Sequence, residues 1–366
     1  MTPALELGLD TFGDVTLGAD DRLVSDAQAL RDVIVQAELA DRVGVDAFGV
    51  GGHHRPDFSI AAPEVVLAAI AGRTSRITLG SAVTVLSTDD PVRVFERFST
   101  LNALSNGRAE VILGRGSFTE SYPLFGFDLQ RYDEWFEDRL SLFVQLLKNE
   151  PVTWSGTTRS PLDKQMVYPR IEAGRLRTWV GVGGSPESVV RAARYGLPLT
   201  LAIIGGNPLR FRPYVDLYLE SLARFGQPAQ PIAVHSPGHV AATDERAREE
   251  IWPHYQAMLT RIGAERGWPP VTREQFESEA GPTGALFVGA PSTVAAKIAR
   301  AAAALGLSRF NLKYSAGTLP HAALMTSVEL FGTAVMPQVR EILGRSAHAA
   351  AAEPPADRLS RRGSTE

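Results

Sequence analysis

The chain contains no cysteine, which excludes disulfides, thiolate nucleophiles and cysteine-ligated metals. It carries no surplus of positive charge. Its 37 Lys and Arg stand against 41 Asp and Glu, for a net charge of -4, so no basic footprint for nucleic acid is present. No apolar run approaches the roughly 20 residues of a membrane-spanning helix. Glu6 and Asp10 lie where a secretory leader needs basic and then apolar residues. The expectation is a soluble, cytoplasmic protein with no membrane or nucleic-acid partner. What is present is ordinary globular composition, 44% hydrophobic and 21% charged, over 366 residues. That length suffices for one large barrel with insertions.

Strand and helix patterns alternate along most of the chain. Strands are expected at Leu5–Asp10, Ala47–Gly51, Ile77–Val85, Arg108–Leu113, Thr178–Val182, Leu197–Ile203, Ile232–Ala241 and Arg309–Tyr314. Helices are expected at Val33–Val43, Pro63–Gly72, Pro91–Leu104, Tyr132–Leu147, Asp244–Arg266, Ser292–Leu305 and about His321–Leu343. Pro151–Glu172 breaks the rhythm and reads as a hairpin-like insertion, and a Gly/Pro-rich passage runs up to Val288. Eight strands separated by helices predict an α/β fold, a closed TIM (β/α)8 barrel with insertions. An open doubly wound sheet is the alternative. One domain is expected over residues 1–345, followed by a disordered tail at 346–366 rich in Ala, Pro, Arg and Ser.

Candidate chemistry gathers at the carboxyl ends of these strands, where barrels place their sites. After the fourth strand comes Gly114-Arg115-Gly116. The glycines allow close backbone approach, and the guanidinium can fork two hydrogen bonds onto a phosphate. The bland alternative is a strand end with a solvated arginine. After the fifth strand, Gly183-Gly184-Ser185-Pro186 leads into a helix, with Ser185 at the N-cap, Pro186 in the first turn and Ser188 one turn on. Helix-start amides make an anion cradle there; a capped helix with no ligand is the alternative. His53 and His54 follow Gly51-Gly52 and could handle protons, or be ordinary loop histidines. A metal reading is weak, because adjacent strand residues point to opposite faces and only Asp57 adds a carboxylate. Ser81-Ala82-Val83-Thr84 would give a small-residue shelf for a flat ligand. Lys313 could neutralise an anion or merely snorkel, and Ile204-Gly205-Gly206-Asn207 supplies another loop at this face. Neither a Ser-His-Asp set nor an obvious acid/base carboxylate pair appears, so a cofactor is expected to carry the hard chemistry.

These residues resemble the bacterial luciferase-like monooxygenase family over residues 4 to 343. The resemblance lies in Gly8-Leu9-Asp10, the His53-His54 pair, the run from Glu96 to Gly116 with Phe125-Gly126 after it, and Val180-Gly181-Val182-Gly183-Gly184-Ser185-Pro186-Glu187-Ser188. It implies a TIM barrel with insertions, a homodimer, and reduced flavin or the related deazaflavin at the carboxyl face. By position it implies that Gly114, Arg115, Gly183, Gly184, Ser185 and Ser188 hold the flavin phosphate, with Arg131 as a further candidate. It implies a non-proline cis peptide at Ala82-Val83 under the ring. His53 is implied as catalytic base, with His54 beside it. Luciferase itself has a reactive cysteine where this chain has Gly114, so light emission is not expected. The resulting expectation is an FMN-dependent monooxygenase that oxygenates a small organic substrate with reduced FMN and oxygen. Because no NAD motif is visible, a separate flavin reductase would supply the reduced FMN. A deazaflavin-dependent hydride-transfer enzyme and a non-catalytic flavin-binding protein are the alternatives.

Overall fold

The structure is a computed structural model that describes residues 4–116, 118–171 and 175–352, with side chains to 345. Eight strands make a closed parallel barrel: β1 Glu6–Thr11, β2 Ala47–Val50, β3 Thr78–Ser81, β4 Ala109–Gly114, β5 Arg177–Val182, β6 Leu199–Ala202, β7 Ile232–Val240 and β8 Arg309–Lys313. Each pairs with its successor, and β8 returns to β1 with Glu6 opposite Arg309 and Asp10 opposite Lys313. Closure removes every exposed sheet edge in the barrel.

Alternation along the strands builds two different environments. Leu7, Leu9, Phe48, Val50, Leu79, Val111, Leu113, Val180, Leu199, Leu201, Phe310 and Leu312 face outward into the main core. They pack under helices that include α1 Asp26–Arg42, α2 Pro63–Ala71, α3 Pro91–Leu104, α4 Tyr132–Leu146, α5 Pro186–Arg194, α6 Arg212–Arg224 and α7 Pro291–Leu305. The opposite residues fill the barrel. At its amino end Arg309 is ion-paired with Glu110 and donates to Glu6 at 2.7 Å, while Trp179 Nε1 donates to Glu110 at 3.1 Å. Burial opposes the charge on Arg309, but the two carboxylates hold its pKa above the usual arginine range. Above this plug lies a small apolar layer of Ile112, Trp179 and Ala233, with Val83 against it.

The departures from the expected elements have local causes. The third strand stops at Ser81, the next peptide but one, Ala82–Val83, is cis, as the family resemblance implied, and Thr84–Val85 then resumes pairing beside Leu113–Gly114. The first helix begins earlier, at Asp26, where Ser25 accepts from Gln28 N. The insertion is an antiparallel hairpin, Val152–Trp154 with Leu162–Gln165. The Gly/Pro-rich passage hides a helix, Arg273–Ala280, fixed by a capping box between Thr272 and Gln275. The final helical stretch runs from His321 through a π turn to Ala352. The tail was expected to be disordered from 346, but its backbone to Ala352 continues this helix, and from 353 onward it lies outside the described residues.

The long helix Asp244–Arg266 belongs to a second, smaller core. Ala247, Ile251 and Tyr255 pack there with Phe276, Leu286 and Val288. Beyond the barrel, β7 continues to pair at its far end with Phe287–Gly289. Among the described residues no helix is long and apolar enough to cross a membrane, and no group of three His, Asp or Glu could hold a metal ion.

Candidate active site

At the end of β2 the chain turns at Gly51, where a Cβ would meet Phe12 Cδ1 at 2.4 Å and the Ala82 carbonyl oxygen at 2.6 Å. Only glycine fits this crossing. Past the turn, His53 N donates to the Ile60 carbonyl at 2.8 Å and the imidazole enters an aromatic box. Its ring centroid lies 4.7 Å from Phe12, 4.8 Å from Phe58 and 4.6 Å from Phe118. Nδ1 is 3.2 Å from Glu120 Oε1. Burial raises the Glu120 carboxyl, but the hydrogen bond and charge of His53 together with backbone hydrogen bonds bring its pKa below the usual range. A carboxylate accepts, so Nδ1 carries the proton and Nε2 is left as the acceptor. His54 sits edge-on to Phe125 at 4.9 Å, and burial lowers its pKa.

Arg115 leaves the end of β4 and lies across α4. Its guanidinium donates to Asp133 Oδ1 at 2.6 Å and to the Tyr132 hydroxyl at 3.2 Å, with its carbon 4.9 Å from the Tyr132 ring centroid. Asp133 also lies 3.4 Å from Arg191, and Arg191 reaches the Ser188 hydroxyl at 3.5 Å. The start of α5 is thus tied to Arg115 through one carboxylate. The Ser185 hydroxyl accepts from Ser188 N and donates to Glu187 at 2.7 Å. That bond lowers the Glu187 pKa, and Arg115 is near enough to lower it further. Gly184 has φ of 124°, and a Cβ on Gly183 would meet nothing within 4 Å. The loop is open above its backbone, while Ser188 is buried beneath it.

Not every residue marked in the sequence meets at this face as expected. Gly114 and Gly181 leave their space to Val83 rather than to open solvent, since a Cβ would lie 2.7 and 3.2 Å from its methyl groups. Ser81 is buried and accepts from Thr84 at 2.9 Å. Lys313 does not project as a free cation: it is buried and bonded to Asp14 at 2.9 Å. Arg131 pairs with Glu134 on the surface at 2.8 Å. Asp57 serves Arg55 and Arg261, and the loop after β6 is held by Glu279 on Gly206 N at 2.9 Å. Asp133, Glu187, Arg191 and Glu120 are the members that sequence reasoning missed. Ser188 and Arg191 stand three apart on a helix, and that spacing was the available signal for Arg191.

The chain matches the family model described as luciferase-like monooxygenase over residues 11–309. It belongs to that family. Among curated relatives, limonene 1,2-monooxygenase of Rhodococcus erythropolis is 30% identical over 66% of this chain and 65% of its own length. The alkanal monooxygenase alpha chain of Photorhabdus luminescens is 25% identical over 64% of each chain. The chain spans about half to two thirds of the length of the first curated relatives it matches, 54% to 65%. In fold it is similar to the monooxygenase RslO1 of Streptomyces bottropensis, with a TM-score of 0.77 at 22% identity over 91% of this chain and 99% of that one. The oxygenating constituent of 3,6-diketocamphane monooxygenase of Pseudomonas putida, solved with FMN, gives 0.72 at 19% over 92% and 99%. An F420-dependent secondary alcohol dehydrogenase gives 0.72 at 17% over the same shares, 92% and 99%.

Proposed function

We propose that this protein is a flavin-dependent monooxygenase that uses reduced FMN and oxygen to oxygenate a small organic substrate. The observation that carries the reading is the joining of Arg115 to the start of α5 through Asp133 and Arg191. Two guanidiniums and a helix N-terminus converge beside an open glycine loop, which fits the phosphate of a flavin mononucleotide. When bound, reduced FMN would supply the oxygen-activating chemistry. This chain's residues would do the rest. Arg115, Gly183, Gly184 and Ser185 would hold the phosphate, with Gly114 supporting Arg115 and Ser188 fixing the helix start. Ala82 and Val83 would lie beneath the ring. His53 would take or return a proton at Nε2 while Glu120 holds Nδ1, and His54 would flank it. Phe12, Phe58 and Phe118 would exclude water and favour an apolar substrate. A transient flavin reductase, a homodimeric assembly and a cytoplasmic setting belong to the same reading.

Hydride transfer with a deazaflavin is the second reading, supported by the fold likeness to an F420-dependent dehydrogenase. One titration separates the two. The purified protein is mixed with FMN and with deazaflavin, and binding is followed by the visible absorbance and fluorescence of each. Preference for FMN, followed by incorporation of one atom of labelled oxygen into a substrate under reduced FMN, is expected. Tight deazaflavin binding with no FMN binding would overturn the monooxygenase reading.

A further inference from the structure

A second histidine lies inside the barrel mouth and has no part in the chemistry described above. His235 is on the inward side of β7, in the same layer as Asp10 of β1. Its Nδ1 is 2.7 Å from Asp10 Oδ2. The Asp10 side chain is 1% exposed, and Asn311 donates to its other oxygen at 3.3 Å. Space for this carboxyl is reserved on the neighbouring strand: a Cβ on Gly49 would lie 2.0 Å from Asp10 Oδ1. Asp10 is seated there by contacts from His235 and Asn311, and as a carboxylate it can only accept. That fixes the proton of His235 on Nδ1 and leaves Nε2 as the free position. Nε2 has no hydrogen-bond partner among the described residues, and the side chain keeps 15% exposure. Buried structural histidines look different here. His239, fully buried, spends Nε2 on Glu250.

His235 also adjoins the aromatic box. Its ring stacks on Phe12 with centroids 6.2 Å apart at 17°, and Phe12 touches His53 on its other contact. The charged groups around it are few. They are Asp10 itself, the Lys313–Asp14 pair with Lys313 Nζ 4.8 Å from the Phe12 centroid, and His53 with Glu120 across Phe12.

We infer that His235 is a second proton-exchanging residue of this site, acting at Nε2 from the barrel floor on the bound cofactor or substrate, with Asp10 as its positioning residue. The inference rests on the flavin reading for the identity of what is bound. In the step, a proton passes from the bound organic group to Nε2. Nδ1 keeps its own proton, and the Asp10 carboxylate balances the imidazolium that forms. The dyad needs no oxidant or metal.

Diethyl pyrocarbonate, which acylates accessible neutral imidazole, tests this on the full-length protein with peptide mass spectrometry. His235 should react and His239 should not. Oxidised FMN, its binding confirmed by absorbance, should slow the reaction of His235 at least tenfold. Full reactivity of His235 with FMN bound would overturn the inference, as would failure of His235 to react at any pH. Absence of FMN binding would instead defeat the flavin reading, and the dyad is then judged by the His235 tautomer. Asp10→Asn should release that tautomer, read from the imidazole nitrogen chemical shifts as loss of a dominant Nδ1–H form, because an amide can donate as well as accept. An unchanged tautomer overturns the dyad. Should Asp10→Asn fail to fold, the comparison with and without FMN in the unsubstituted protein decides.

Discussion

Arg115 is not free to greet a ligand: its guanidinium is held by Asp133 Oδ1 at 2.6 Å. Asp133 is half exposed, and although burial raises its carboxyl, Arg115, Arg191 and the Tyr132 hydroxyl together bring its pKa below the usual range. Glu187 occupies the Ser185 hydroxyl in the same way. The chain's own carboxylates stand where a phosphate would draw its partners, so anion binding is an exchange of partners rather than the filling of a bare pocket.

Arg115→Ala should therefore weaken FMN binding by about 1.5–3 kcal/mol, the scale of a charge-assisted hydrogen bond. Isothermal titration with the variant measures this. Unchanged affinity would remove Arg115 from the phosphate site.

Glu187→Gln should move affinity in the opposite direction. It removes a negative charge beside the proposed phosphate site while keeping a side chain that can bond Ser185. Tightening of a few-fold is expected at low salt, fading as ionic strength shortens the Debye length below about 10 Å. Weaker binding in this variant would show that Glu187 helps to form the cradle.

His53→Ala should lower turnover by about 10²–10⁴-fold, the usual share of a positioned acid or base. FMN affinity should change little. Glu120→Gln should leave turnover measurable but shift its pH profile, because an amide cannot hold Nδ1–H as a carboxylate does. A flat response to both substitutions would leave the His53–Glu120 pair structural.

Glu110→Gln tests the plug at the amino end of the barrel. Glu110 and Arg309 are 4% and 2% exposed, and breaking a buried pair leaves a charge without its counterpart. A loss of about 3–5 kcal/mol in urea unfolding is expected. Loss below 1 kcal/mol would show that Glu6 alone satisfies Arg309.

Acid should destabilise the fold in two stages. Burial lowers the His54 pKa below its ordinary 6.5. Glu250 is drawn from 4.5 to about 2 by hydrogen bonds from His239 and Arg246, against burial. Both are depressed in the folded state. Their stabilisation is complete above the unfolded values and is lost as pH falls through the folded ones. Urea midpoints should decline gently from pH 6.5 and more steeply between about 4.5 and 2. A midpoint constant from pH 7 to 4 would contradict the first stage.

The barrel was legible because alternating strands and helices leave a strong local pattern, and so were Arg115 and the loop before α5, each a short segment after a strand. The long-range contacts inside the barrel were not. Asp10 and His235, near the mouth, stand 225 positions apart, and Arg309 and Glu110, in the plug at the amino end, 199 apart. Nothing local marks such partners, because closure of the barrel brings them together. The helix Arg273–Ala280 was lost among glycines and prolines, since eight residues show little period. Whether Lys313 neutralises an anion or merely snorkels was open in the sequence because its counter-ion, Asp14, lies on a loop after β1, 299 positions away.

The second core gives the mouth a mechanical character of its own. Helix Asp244–Arg266 packs on Phe276, Leu286 and Val288 rather than in the main core, and it meets the rim through Arg55–Glu265 and Arg261–Asp57. One side chain in each pair is at least half exposed, 50% for Glu265 and 60% for Arg261, and such solvated pairs are each worth about 1 kcal/mol or less. The eight-stranded ladder does not depend on them. Amide hydrogen exchange would thus register this segment as an independent opening unit, faster than the barrel strands and quickened by salt.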